Sequence, residues 1–169
     1  LAPDLLEPVL LTHLERGDWR PAQRTLARAL HARPRLFVLD PKTALELRHE
    51  IVKRWPRAAA EAAARADRIL ADRYDLLGYR GLSFKGETGV TDWHLDPVHK
   101  RRAPGVFWSD VPYLDPEVGD HKVIWELNRH QHWLAIGRAL WLTRDRRYAW
   151  AMVAQLATWM ETNPPLTGV

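Results

Sequence analysis

The stretch Leu114–Tyr148, LDPEVGDHKVIWELNRHQHWLAIGRALWLTRDRRY, decides how the chain is read. An Asp115-Pro116 turn and the pair Gly119-Asp120 lead into a helical pattern, because an Asp oxygen can accept from the free amides of a first helical turn. The spacing predicts one long helix carrying Glu126, Asn128, Arg129, His130, Gln131 and His132. At about 100° per residue, His121, Trp125, Asn128 and His132 fall on one stripe. Leu127, Leu134, Gly137 and Trp141 then make the buried side, with the small Gly137 permitting a close helix contact. A solvated face is usually Lys, Glu and Arg, so a stripe of Trp, Asn and two His asks for another account. Two readings stand side by side. Either this helix floors a groove for carbohydrate or another anion, or the histidines are core residues and the amide is satisfied by nearby carbonyls.

Working outward, Thr143–Arg147 reads as a turn and Tyr148–Met160 as a last helix with Trp150, Val153, Leu156, Ala157 and Met160 apolar. The two helices form an antiparallel hairpin, followed by the loop NPPLTGV. On the other side lies a long irregular region from Asp75 to Gly119, with two short strands predicted near Leu76–Tyr79 and Leu82–Phe84. Such long connections usually serve a ligand or a function. Asp92, His94, Asp96 and His99 have the residue types of metal ligands, but without a second anchored cluster they read as turn residues, Asp92 and Asp96 accepting from turn amides. No metal is assigned. Trp93, Phe107 and Trp108 are predicted to pin the loop to the helices. Lys100, Arg101 and Arg102 form the densest basic run, and an Arg there could fork onto a carboxylate or sulfate.

The leading part is helical. Predicted helices run from Asp4 to Glu15, stopped at Gly17; from Asp18 through Leu26, Ala29 and Leu30; from Asp40-Pro41 to Trp55; and over about 57–73, where alanines favour tight packing. Leu36–Leu39 is a short apolar piece, and His49 a surface histidine.

The 169 residues suffice for one domain with a real core. Nine Trp against three Phe and four Tyr suit sugar stacking and helix packing alike. A net charge of +4, mostly Arg, suits an anionic partner. Nucleic acid is not expected, because the basic residues are dispersed and no reading helix or finger spacing occurs. No run approaches a membrane span. With no Cys, disulfides and thiolate metal sites are ruled out.

The blocks DWHLDPVHKRRAP, FWSDVPYLD, GDHKVIWELNRHQHWLAIGRALWLTRDRRYA and NPPLTGV resemble the amino-terminal part of the heparinase II/III family of polysaccharide lyases. The likeness is strongest over residues 75–169. It implies an all-α fold, a partial (α/α) toroid of antiparallel helix pairs with a long irregular loop region. It further implies that 1–169 is a single helical domain of a larger two-domain protein lacking the downstream β-sandwich: leading helices 1–74, a loop-rich segment 75–119, and a helix pair 120–162 carrying the Asn motif. The implied activity is β-elimination in an anionic, uronate-containing polysaccharide of the glycosaminoglycan or alginate kind. Asn128 would neutralise the substrate carboxylate, helped by His130 and His132. Trp125, Glu126, Arg129, His121, Trp93, Arg101 and Arg102 would bind substrate.

The chemistry fits that role, because an amide hydrogen-bonded to the uronate carboxylate stabilises the charge that builds up as the neighbouring C–H is deprotonated. The family's catalytic Tyr and His have no counterparts at the matching places: Tyr113 precedes the Asn motif and Tyr148 follows it too closely. Little or no lyase activity is therefore expected of these residues alone. No cofactor is expected here, a structural metal being conceivable only in the sandwich. The resemblance implies a periplasmic or secreted setting, with the cytoplasm left open. An alternative from another class is a non-catalytic helical module binding anionic glycan or a protein partner. A hydrolase pairing Glu126 with Asp120 or Asp92 is weaker.

Overall fold

The computed structural model describes residues 8–32 and 43–168. The pieces predicted at Leu36–Leu39 and Asp40-Pro41, and the start of the first helix before Pro8, lie outside them. The chain divides after Leu47 into two compact units. In the first, α1 (Pro8–Glu15) and α2 (Trp19–Ala32) pack together. Gly17, at φ 73°, makes the turn between them, a backbone state that costs glycine little. Among the described residues, Leu10 and Ala22 are the buried side chains of this pair.

Helix α3 (Ala44–Arg54) starts at the junction, and its Ile51 and Val52 pack on the core of the second unit. Arg48 Nε donates to the Leu142 carbonyl at 2.8 Å, satisfying one of the free acceptors near a helix end. In α4 (Ala58–Leu70), Ala62, Ala66 and Ile69 recur at helical spacing and are buried, and these small side chains let α4 lie along α6 (Gln131–Thr143). Helix α6 then packs on α7 (Arg147–Thr162) across the short turn Arg144–Arg146, giving the expected hairpin. The fold is thus largely helical and built from packed helix pairs.

Among the described residues, the strands lie between Tyr74 and Arg102. β1 (Tyr74–Leu76) and β2 (Tyr79–Leu82) form a hairpin whose two turn residues, Leu77 and Gly78, both have positive φ, the turn hand that matches strand twist. β3 (Leu95–Asp96) pairs with β4 (Arg101–Arg102). Asp96, fully buried, organises this second loop: it accepts from the backbone amides of Val98, His99 and Asp120 and from His99 Nδ1, the last two at 2.7 Å. Burial pulls its carboxyl upward, but these bonds outweigh burial and hold it below the usual carboxylate range. Gly119 crosses directly over Asp96, where an added Cβ would lie 2.8 Å from the Asp96 Cβ. The core gathers Tyr74, Phe84, Trp93, Val123, Leu127, Ile136 and Tyr148. Each such large side chain contributes about 1.5–3 kcal/mol on burial.

The predicted single long helix is corrected. It is two helices, α5 (His121–Asn128) and α6, broken at His130, whose φ of 57° and ψ of 20° are left-handed. Asn128 begins the break: its side chain bonds back to the Ile124 carbonyl, competing with the helical ladder. His130 then takes the left-handed position that ends many helices, a state His tolerates better than most residues. The predicted burial side changes in consequence. Leu127 is buried, but Leu134 is 73% exposed, and Ile136, Ala139 and Leu142 face the core instead. Gly137 has nothing within 4 Å of an added Cβ, so it does not serve close packing. Nor do Phe107 and Trp108 pin the loop from within; both are about half exposed.

Candidate functional site

The break is the centre of the site. Asn128 Nδ2 donates to the Trp93 carbonyl at 2.8 Å and the Ile124 carbonyl at 2.9 Å, while its Oδ1 accepts from Trp159 Nε1 at 2.9 Å. One amide thus ties α5 to the Trp93 loop and to α7. The next residue, Arg129, is exposed and ion-paired to Glu126 at 3.0 Å.

Beyond it the chain turns into an aromatic box. The His130 ring lies flat on Trp133, with centroids 3.9 Å apart and planes at 9°, and meets Trp159 and Trp93 edge-on at 4.9 and 5.6 Å. His132 is buried between Tyr74 and Trp93. Its Nε2–H donates to Gln155 Oε1 at 3.2 Å, which also takes the Trp133 indole proton at 2.8 Å. Neither ring nitrogen of His130, nor Nδ1 of His132, has a hydrogen-bond partner among the described residues. Burial, chiefly, lowers the His132 pKa to about 4 and also lowers that of His130, so both rings are neutral near pH 7.

Gln155 links the box to an open cleft of about 220 Å³ lined by Asp72, Tyr74, Lys85, Thr91, Gln155 and Thr158 among others. Its Nε2 donates to the Tyr74 hydroxyl at 3.4 Å, whose pKa burial and the nearby Asp72 push up to about 12. Tyr74 is therefore a neutral phenol. Gln155, Thr158, Trp159 and Tyr74 were missed by the sequence reading. The one available signal was Gln155, a lone amide in the apolar run RYAWAMVAQLATWM.

The structure brings together Asn128, His130, His132 and Trp93, and on the outside of α5 Trp125, Glu126 and Arg129. Trp93, however, is only 1% exposed; it belongs to the core, its carbonyl holding Asn128 and its Nε1 donating to Thr158. A covered indole cannot stack on a substrate ring. His121 is buried under the rings of Tyr113 and Trp125. Arg101 and Arg102 stand on the neighbouring loop, already paired to Glu117 at 3.2 Å and Asp92 at 2.8 Å. His94 is buried, with Nε2 donating to the Thr162 carbonyl, and Gly168 lies so close that a Cβ there would come within 2.6 Å of the imidazole. The final loop thereby folds back onto Val106–Trp108, through Gly168 N to Val106 O and Trp108 N to Leu166 O.

Among the described residues, no group of three His, Asp or Glu is arranged to hold a metal, and no helix is long and apolar enough to cross a membrane. No curated protein and no solved structure matches the chain. A family model does match, over residues 3–168, and it covers the broken helix, the box and the loops that grip them. The chain therefore belongs to the family described as Heparinase II/III N-terminus.

Proposed function

We propose that this chain supplies one wall of a polysaccharide lyase that cleaves a uronate-containing anionic polysaccharide by β-elimination. The observation that supports it most directly is the break at Asn128–His130. There an immobilised amide, an exposed guanidinium and a left-handed residue follow one another, and backbone strain of that kind collects at working sites. In the reaction a base removes the C5 proton, the electrons form the C4–C5 double bond, and the glycosidic oxygen leaves C4 and is protonated. Charge builds on the substrate carboxylate as the proton departs. Asn128 meets that charge with an N–H shared from one of its two carbonyl acceptors, and Arg129 adds a positive field at the surface. His132, neutral and fixed by Gln155, keeps the floor under Asn128 in place rather than supplying a cation.

The base and acid of this scheme are the Tyr and His that the resemblance implies elsewhere in a two-domain protein. The segment alone is accordingly inactive or nearly so. Exported polymers of this kind place the enzyme in the periplasm or outside the cell.

The occupied amide favours a second reading. Because both Asn128 amide hydrogens already have acceptors, the residue could be wholly structural and the domain a glycan-binding module without turnover. The ultraviolet absorbance of the unsaturated uronate product separates the two. It is to be followed with protein extended past Val169, on heparan sulfate, hyaluronan and alginate. Product from the parent and its loss in Asn128→Ala, at a temperature where circular dichroism shows that variant folded, supports the lyase. Glycan binding without product on any substrate supports the module.

A further inference from the structure

The loop from Ala103 to Asp120, APGVFWSDVPYLDPEVGD, contains Asp110, Asp115, Glu117 and Asp120 and no Lys, Arg or His. In a chain of net charge +4 this is a local reversal of sign. The same loop carries three exposed aromatic rings. Phe107 and Trp108 lie with centroids 6.0 Å apart, and Tyr113 donates its hydroxyl to the Trp108 carbonyl at 3.1 Å, which fixes its ring. Tyr113 in turn stands 6.1 Å from Trp125 of α5, the planes inclined at 49°. These two rings are 37% and 42% exposed and make the walls of a notch. His121 closes its base, 4.9 Å from Tyr113 and 6.1 Å from Trp125. It is 6% exposed, and its Nε2 has no hydrogen-bond partner among the described residues.

We propose that the Tyr113–Trp125 notch is a subsite for an uncharged pyranose ring, so that the polymer handled alternates uronate with neutral, unsulfated sugar. The inference rests on the uronate reading above and narrows it. Ring walls recognise the C–H face of a sugar, whose slightly positive hydrogens meet the negative π face. His121 beneath them is covered, its Nε2 included, so the contact offered to a sugar is made by the two ring faces. Sulfate or a second carboxylate at this place would meet Asp110, Asp115 and Asp120 of the acidic loop, Glu117 being paired to Arg101, and that disfavours it. The neighbouring uronate falls toward Arg129, one turn along α5 from Trp125, where the positive charge lies.

The test is calorimetric titration of this chain with three hexasaccharide probes: unsulfated hyaluronan, fully charged polyguluronate and sulfated heparin. Hyaluronan is expected to bind most tightly, with affinity changing less than about threefold between low and moderate salt, since stacking is not screened. Trp125→Ala and Tyr113→Ala should each weaken it by roughly five- to tenfold at unchanged melting temperature, while Trp125→Phe, which keeps a ring, stays within about threefold. Tighter binding of polyguluronate or heparin, an unaffected Trp125→Ala, or no binding of any probe overturns the notch. Failure of the lyase reading looks different: hyaluronan bound in the notch, but no unsaturated product from extended protein. Product formation with no binding dependent on Trp125 would spare the lyase and sink the notch.

Discussion

Two aromatic–histidine clusters lie in the second unit, one at the start of α5 and one at the start of α6, and they differ in what covers them. Around His130 and His132, the rings of Trp93, Trp133, Trp159 and Tyr74 close on one another, and Gln155 and Asn128 accept from His132 Nε2 and from the Trp133 and Trp159 indoles. Around His121, Tyr113 and Trp125 leave their faces in solvent. The residue types are nearly the same. What separates them is the partner: α7 brings an indole and an amide to the first cluster, and only an acidic loop stands beside the second. A Trp or His in sequence thus says that a ring face will be used, and the packing decides whether protein or ligand uses it.

The contrast is broken most forcefully by removing one ring from each side. Trp93→Ala should cost about 3–5 kcal/mol, the range for a fully buried aromatic, and should release the loop that its carbonyl anchors to Asn128. Trp125→Ala should cost less than about 1 kcal/mol, as for an exposed side chain. Denaturant unfolding of both variants checks the pair. Equal costs would mean that the notch is packed as the box is, and that its rings are not free for a sugar.

Acid comes next in size. The His132 pKa lies near 4 in the folded chain, against an unfolded value of about 6.5. A histidine kept neutral on folding contributes stability that is present above the unfolded value and is lost as pH falls toward the folded one. Between about pH 6.5 and 4 the protein should lose on the order of 3 kcal/mol from this ring. His130 and His121 act in the same direction. Asp96, whose carboxyl is lowered, contributes stability that is lost only below that window, as pH falls through its folded value. Melting temperature against pH is the measurement, and His132→Phe should flatten the slope above pH 4. A slope unchanged in His132→Phe would show that the box does not hold its histidine neutral.

Asn128→Ala sharpens the comparison from the polar side. It removes three hydrogen bonds, two of which grip segments distant in sequence, for about 2–3 kcal/mol. Urea unfolding would read this directly. A cost near zero would free the amide from its structural duty and strengthen its part in carboxylate neutralisation.

Much of this was legible in advance and some of it could not be. The helix pairs, the alanine-rich α4 and the hairpin of α6 with α7 follow from periodicity, because burial of one face is what periodicity records. Asp92 and Asp96 as turn acceptors follow from Asx chemistry. The break at His130 had no Gly or Pro to announce it. There His130 stacks on Trp133 and meets Trp159 of α7 edge-on, the second a tertiary contact, and past the break the rows of α6 are turned, so that Leu134 faces out while Ile136, Ala139 and Leu142 face in. The site inherits the same error. His121 and His132 were placed on one stripe of a continuous helix, and the break instead sends one into the notch and the other into the box. Trp93 was expected to pin its loop to the helices and, by the resemblance alone, to bind substrate; at 1% exposure and bonded to Thr158 of α7 it does the first.

The smallest effect isolates the break itself. Gly137 sits inside α6 with helical backbone and open space where a Cβ would point, so Gly137→Ala should stabilise the fold by about 0.5–1 kcal/mol through the helix alone. It touches neither cluster. Melting temperature should therefore rise by a similar amount at pH 7 and at pH 5, with the histidine slope and the notch affinity both unmoved. If instead the slope between those two values shrinks, then α6 and the box open as one unit from the His130 end, and the neutral histidines owe their burial to the integrity of that helix as well as to the rings around them.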